Sequence, residues 1–343
     1  MSVEVNLISD TITRPSSAML EAMQKAPVGD DVFKEDPTVN LLEKRLADLF
    51  GTESALLFPS GTMANQTAIK IHTQPGEQLI CDHYAHIYNY EGGGISFNSG
   101  VSCKLLDGDQ GRLTASQIEP AINSSDFYHS PKTSLVCLEN TTNKGGGAYY
   151  DFNEIKKIRD LCDNYKLKLQ LDGARLWNAL AETEQSAADY GRQFDTISVC
   201  FSKGLGCPVG SVLLGSEALI NKALRVRKVL GGGMRQAGYL AAAALYALDN
   251  HLTDLKEDHR KAKEIGEELK KCSFVKKVVP VHSNIVIFYL SSDWNSDRFI
   301  HQMEAKNIRL LTLGNGNIRS VSYTHLRAHE TGRNLVCRLL LEK

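Results

Sequence analysis

An alternation of short apolar runs with amphipathic stretches, beginning near residue 53, constrains this chain more than any other feature. Glu53-Ser-Ala-Leu-Leu-Phe58 reads as a strand and residues 61–72 as a helix. Residues 78–82, 102–106 and 133–139 are further strands, and residues 153–165 carry helical spacing. Residues 167–172, 196–201 and 210–215 look buried and extended. A strand apolar on both faces needs cover on both sides, which crossover helices supply to parallel strands. The pattern predicts an α/β domain on a mostly parallel sheet.

After Gly238 the pattern changes. YLAAAALYALDN is apolar nearly all round, which predicts a helix that is buried or lies at a subunit interface. Leu255, Ala262, Ile265 and Leu269 mark one face of a long charged helix. A strand over 284–290, a helix over 297–306 and a strand over 308–311 follow. The expected organisation is an N-terminal arm with a large α/β domain over 1–250 and a smaller α+β domain over 251–320. From Val321 the text VSYTHLRAHETGRNLVCRLLLEK keeps neither a helical nor a strand period and resembles a translated sequencing adapter. No function is read from it.

Composition removes several classes of partner. Lys plus Arg number 39 against 40 for Asp plus Glu, so no long-range field gathers nucleic acid or an anionic membrane surface. The opening MSVEVNLISDTITRP has neither the charged nor the apolar region of a signal peptide, and no apolar run approaches a membrane span. The eight cysteines show no C-x-x-C pair or His/Cys ligand spacing, and most sit in apolar segments. No metal is expected, and the chain reads as a reduced, cytoplasmic protein.

Five motifs carry chemistry. Phe201-Ser-Lys-Gly-Leu-Gly206 sets Lys203 at the end of a buried strand, a placement suited to a Schiff-base amine, with glycines that let a ligand approach closely. Leu169-Gln-Leu-Asp-Gly-Ala-Arg175 puts Asp172 at a strand's carboxyl end, where open α/β sheets bind ligands, with Arg175 close enough to grip a carboxylate. Pro59-Ser-Gly-Thr-Met-Ala-Asn65 follows a strand and opens a helix, so its free amides and the Thr62 hydroxyl form a phosphate cradle. The stretch Asp82–Gly94 holds His83, His86 and three tyrosines; a histidine there can lie on a ring or move a proton. Gly231-Gly-Gly-Met-Arg-Gln236 is a loop with a basic tip. Singly, each has an ordinary alternative: a lysine snorkelling to solvent, an aspartate capping a helix, a βα turn, a packed histidine, a surface loop. Together they supply an amine, a ring-nitrogen acid, a phosphate cradle, a stacking ring and a carboxylate-binding arginine, which pyridoxal phosphate requires.

With these motifs on the page, the chain resembles the low-specificity and allo-threonine aldolases, within the fold-type-I pyridoxal-phosphate enzymes and their β-eliminating lyase group. The likeness runs from Asn6-Leu-Ile-Ser-Asp-Thr11 through Val28-Gly-Asp-Asp-Val32, Glu35-Asp-Pro-Thr38, SGTMANQ, DGARLWNA, SKGLGCPVGS and LGGGMRQAG to about Arg319. It implies that Lys203 carries the cofactor, Asp172 pairs with the pyridine nitrogen and His86 lies over the ring. Gly61 and Thr62 would hold the phosphate, helped by Lys228 and Arg235 from a partner subunit, in a homodimer or homotetramer. Ser9, Arg175 and Arg319 would bind the substrate carboxylate. The implied reaction cleaves L-threonine and L-allo-threonine, as β-hydroxy amino acids, to glycine and acetaldehyde. The family usually has a histidine near the substrate hydroxyl where Glu139-Asn-Thr-Thr-Asn143 places Thr142, so Thr142 is expected to read that hydroxyl less firmly. The family's V-T-H-L-D ending is missing, where the irregular tail begins. Two other readings stand beside this one: a related β-eliminating lyase or aminotransferase, and a non-catalytic α/β assembly protein. An Asp172→Asn variant should keep some cofactor and lose most of the rate, because an amide cannot hold a pyridinium charge; near-parental turnover would move the ring-nitrogen acid elsewhere.

Overall fold

In the computed structural model, which describes residues 5–314 and 316–323, a seven-stranded sheet organises the large domain. A two-residue strand β1 (Val5–Asn6) opens the chain. The large sheet holds β2 (Ser54–Phe58), β3 (Gln78–Asp82), β4 (Ser102–Leu106), β5 (Thr133–Glu139), β6 (Lys168–Gly173), β7 (Thr196–Cys200) and β8 (Ser211–Gly215). Their spatial order is β2-β8-β7-β6-β5-β3-β4, and only β8 runs against its neighbours. The carboxyl ends of β2, β3, β5, β6 and β7 therefore share one edge. Residues 58–61, 82–86, 139–143, 172–175 and 200–203 all leave the sheet there.

Two of the helices that close the sheet begin on a side-chain cap. Helix Gly61–His72 starts where the Ser60 hydroxyl accepts the Met63 amide, and it buries Ala64, Ala68 and Ile69. Helix Pro37–Phe50 opens on proline, with Asp36 accepting the Thr38 and Val39 amides, and ends on Gly51 in the left-handed region. Helix Gly238–Asn250 packs its alanines against helices Ser17–Gln24 and Pro37–Phe50. Its apolar face is thus covered within its own chain, and Tyr239 is left exposed.

The small domain packs helix Leu255–Leu269, on the face expected, and helix Ser296–Ala305 beside a four-stranded antiparallel sheet. That sheet contains β9 (Val275–Val278), β10 (Ile285–Leu290), β12 (Leu311–Gly314) and β13 (Asn317–Val321), in the order β12-β13-β10-β9. The single strand expected over 308–311 divides into β11 (Ile308–Arg309) and β12. Strand β1 pairs in parallel with β11, and Val5 and Leu7 lie in the small domain's core. The N-terminal arm, assigned to the large domain by position, thus reaches across to the small one.

The start of the irregular tail also needs correcting. Val321 pairs with Ile285, its amide donates to the Leu7 carbonyl, and Tyr323 is buried. Strand β13 is short and carries Arg319 and Ser320 between Ile318 and Val321, so it shows no strand period of its own. The remainder of the tail lies outside the described residues. Val321 is fully buried, so Val321→Ala should cost about 1–3 kcal/mol in a denaturant titration. A change within error would place Val321 outside the core.

Candidate active site

The edge where the strands end gathers the expected residues. Gly61 sits so close to β7 that a Cβ there would lie 2.6 Å from Cys200 Sγ. Only glycine lets the helix end approach the strand that leads to Lys203. The Met63 and Ala64 amides bond to Ser60, which leaves the Gly61 and Thr62 amides at the open end of the helix beside the exposed Thr62 hydroxyl. These features fit a phosphate. Lys203 is half-buried, its carbonyl accepts from Thr13 Oγ1 at 2.8 Å, and its ammonium has no ion-pair partner among the described residues. An uncommitted amine in such a place fits an aldehyde-bearing cofactor.

Asp172 is buried at the end of β6 and accepts from Asn65 Nδ2 at 3.0 Å and from the Ala174 amide at 3.1 Å. Asn65 also donates to Glu91 Oε1 at 2.9 Å and accepts from the Ser198 hydroxyl at 2.6 Å. His86 Nδ1 lies 3.0 Å from the same Glu91 carboxylate, which orients the ring. Ligand atoms of His86, Glu91 and Asp172 lie within 4.8 Å of one another, as a metal site would need. The Asn65 amide bridges the two carboxylates, where a cation would otherwise be wanted, so the donor set reads as a hydrogen-bonded network that orients Asp172. Burial would lower the His86 pKa, yet Glu91, Asp172 and Glu139 around it raise it.

Sequence reasoning quoted Glu139 only as the first letter of a motif. It lies buried on β5 directly opposite Asp172 on β6. Its carboxylate accepts the His86 amide at 2.7 Å and the Asn143 amide at 2.7 Å. Burial, and then the neighbouring Asp172 charge, push it up to about 7. Glu91, Asn65 and Asn143 were likewise missed. The available signal was an acid or amide at a strand or helix end in each quoted motif, but their partners lie up to 176 positions away.

The cationic half of the site is held by Asp10, which was also missed although it follows Ser9. Arg175 is buried and donates to Asp10 twice, from Nε at 2.8 Å and from Nη2 at 2.6 Å, leaving Nη1 for another ligand. Asn284 of the small domain donates to Asp10 at 3.2 Å. Arg319 donates to Asn143 Oδ1 at 2.8 Å and to the Ile8 carbonyl at 3.1 Å; burial, and then Arg175, lower it to about 10. Ser9 is half-buried on the same arm, with its hydroxyl oxygen accepting from Thr11 at 2.9 Å.

Three expected residues stand elsewhere or are committed to other partners. The Thr142 hydroxyl donates to the Gln110 carbonyl at 2.8 Å, and the residue is 2% exposed, so its hydrogen is not free for a substrate. Arg235 pairs with Asp30 at 2.8 Å, and Lys228 lies exposed beside Val229, which is 81% exposed.

Burial alone would raise the Asp10 carboxyl, but Arg175, Lys203 and Arg319 together hold it well below its ordinary 3.8. A depressed carboxyl stabilises the fold fully above its unfolded pKa, and that stabilisation is lost as pH falls from about 4 toward the folded value. Asp10→Ala should cost about 3–5 kcal/mol at neutral pH, because Arg175 is left buried without a counter-charge. The difference between parent and variant should shrink in acid. Equal denaturation midpoints at neutral pH would contradict this.

A sequence model of the beta-eliminating lyase family matches residues 6–293. The chain is 39% identical over 341 residues to low-specificity L-threonine aldolase 1 of Arabidopsis thaliana, covering 97% of this chain and 95% of that one. It is 39% identical over 305 residues to the low specificity L-threonine aldolase of Escherichia coli (strain K12), covering 89% and 90%. Among solved structures, Leishmania major threonine aldolase matches with a TM-score of 0.85 at 22% identity, covering 98% of this chain and 99% of that one. A serine palmitoyltransferase from Sphingomonas wittichii matches with a TM-score of 0.77 at 15% identity, covering 98% and 86%, which shows the fold alone. By family match and by relatedness along nearly its whole length, the chain belongs to the beta-eliminating lyase family, among the low-specificity L-threonine aldolases.

Proposed function

We propose that this protein is a pyridoxal-phosphate-dependent aldolase that cleaves L-threonine and L-allo-threonine to glycine and acetaldehyde. One observation carries the reading: a lysine without an ion-pair partner among the described residues, a hydrogen-bonded aspartate, an open helix end and Arg175 stand at one sheet edge, with Arg319 of the small domain close to Arg175, in a chain 39% identical to a low-specificity L-threonine aldolase. Lys203 would hold the cofactor's aldehyde carbon, the Gly61 and Thr62 amides its phosphate, and Asp172 a proton at its ring nitrogen. When bound, pyridoxal phosphate supplies a conjugated ring that takes up the electron pair released at Cα.

The protein's residues do the rest. Arg319 and the free Nη1 of Arg175 grip the substrate carboxylate, with Ser9 beside them, and so fix which bond at Cα is oriented to break. His86 Nε2 takes the β-hydroxyl proton while Glu91 steadies the imidazole through Nδ1. As the Cα–Cβ bond breaks, the hydroxyl carbon leaves as acetaldehyde, and a proton delivered to Cα completes glycine. With the Thr142 hydroxyl committed to Gln110, the hydroxyl side is read without it, which supports cleavage of both epimers.

An assembly of two or four copies completes the proposal. Exposed Phe33 and Val229 flank a groove lined by Val32, Leu224, Arg225 and Lys228, which supports a covered face there. Lys228 and Arg235 would then approach a neighbour's phosphate. Seven described cysteines are free, and no helix among the described residues is long and apolar enough to cross a membrane. The free thiols support a reducing, cytoplasmic setting.

The test is turnover of the four threonine and allo-threonine stereoisomers with aldehyde and glycine detection, in the parent and in Lys203→Ala. We expect glycine and acetaldehyde from both L-isomers, little from the D-isomers, and no turnover or visible cofactor absorbance in the variant. Ammonia and a keto acid as products would instead identify an eliminating lyase.

A further inference from the structure

We propose that Glu139 is a positioning residue that clips the His86 segment to the Asn143 segment, so that one buried side chain aligns both ends of the substrate. This rests on the aldolase reading above. The Glu139 carboxylate accepts the His86 amide on Oε2 and the Asn143 amide on Oε1, each at 2.7 Å. Beyond the first contact lies the imidazole that meets the substrate hydroxyl. Beyond the second, Asn143 Oδ1 accepts from Arg319 at 2.8 Å, and Arg319 meets the substrate carboxylate. Two loops that leave different strands, β3 and β5, are therefore joined by one pair of oxygens.

The clip needs a carboxylate. Both of its partners are backbone donors, and a neutral carboxyl or an amide presents an acceptor to only one of them without conflict. Glu139 is 8% exposed and has no ion-pair partner among the described residues. It is faced by Asp172 across the sheet, by His86 from the β3 loop, by Arg175 beyond β6 and by Tyr150. Burial and then Asp172 oppose its charge, while the His86 and Asn143 amides and His86 itself favour it, and the balance leaves it near 7. A raised carboxyl is ionised only above its pKa, so the clip closes as pH rises through neutrality and slackens below it.

The experiment compares the parent with Glu139→Gln in three ways. Steady-state kinetics with L-threonine are measured across pH on the holoenzyme, and the His86 imidazole is titrated by NMR in cofactor-free protein, assigned with His86→Asn. Misplacement of a substrate-orienting group by about 1 Å costs on the order of a hundredfold. We expect kcat/KM to fall by roughly ten- to a hundredfold in the variant, with lower kcat and higher KM together. The acid limb near neutrality should move to lower pH. The His86 titration should also move down, because Glu139 is among the charges that raise it. Unchanged kinetics with an unchanged His86 titration would overturn the proposal. Failure of the parent to cleave L-threonine would overturn the aldolase reading instead, and the His86 titration would still test the clip. Should Glu139→Gln not fold, Asn143→Ala severs only the Arg319 half. It should raise KM roughly tenfold with a far smaller effect on kcat; an unchanged KM would sink the proposal.

Discussion

The buried ion pair between Asp10 and Arg175 is the constraint on which the rest of this site depends. Neither charge could be afforded there alone, because removing an ion from water costs several kcal/mol unless a well-placed partner meets it. Meeting that demand draws the N-terminal arm over the end of β6 and recruits Asn284 from the small domain. Once the arm is seated, Thr13 caps the Lys203 carbonyl and the Ile8 carbonyl receives Arg319. Three separate stretches of chain thus meet at one carboxylate.

The same edge is electrically divided. Lys203, Arg175 and Arg319 crowd one end around Asp10, while Glu91, Glu139 and Asp172 crowd the other around His86. Like charges in a low-dielectric cleft repel, and the protein relieves the acidic end with neutral donors: the Asn65 amide and three backbone N–H groups. An amino acid zwitterion that enters such a field meets its carboxylate's partners at one end only, so orientation begins before contact.

The sheet and most helices of the large domain were legible in the sequence because apolar runs bounded by glycine, serine and aspartate have few other solutions. Lys203, Asp172, Gly61 and Arg175 were legible for a related reason, since each stands at the junction of a strand and a turn. Their partners were not. Nothing near Asp10 points to Arg175, and nothing near Glu139 points to His86, because those pairings are made by the folded sheet across more than fifty positions. Thr142 shows the converse case. A family position suggested a substrate contact, while the local turn at Gly145 and the Gln110 carbonyl had already claimed its hydroxyl.

The pairing of β1 with β11 has a consequence for how the chain is made. Val5 meets Ile308, and Leu7 receives the Val321 amide, so this strand finds its neighbours only after some three hundred further residues exist. At synthesis rates of about 5–20 residues per second, that is a wait of roughly 15–60 s. During it Val5 and Leu7, which end in the small core, stay solvent-exposed, and Asp10 has no Asn284 to meet. The large sheet can assemble meanwhile from parts already made. The arm waits on a partner made long after it.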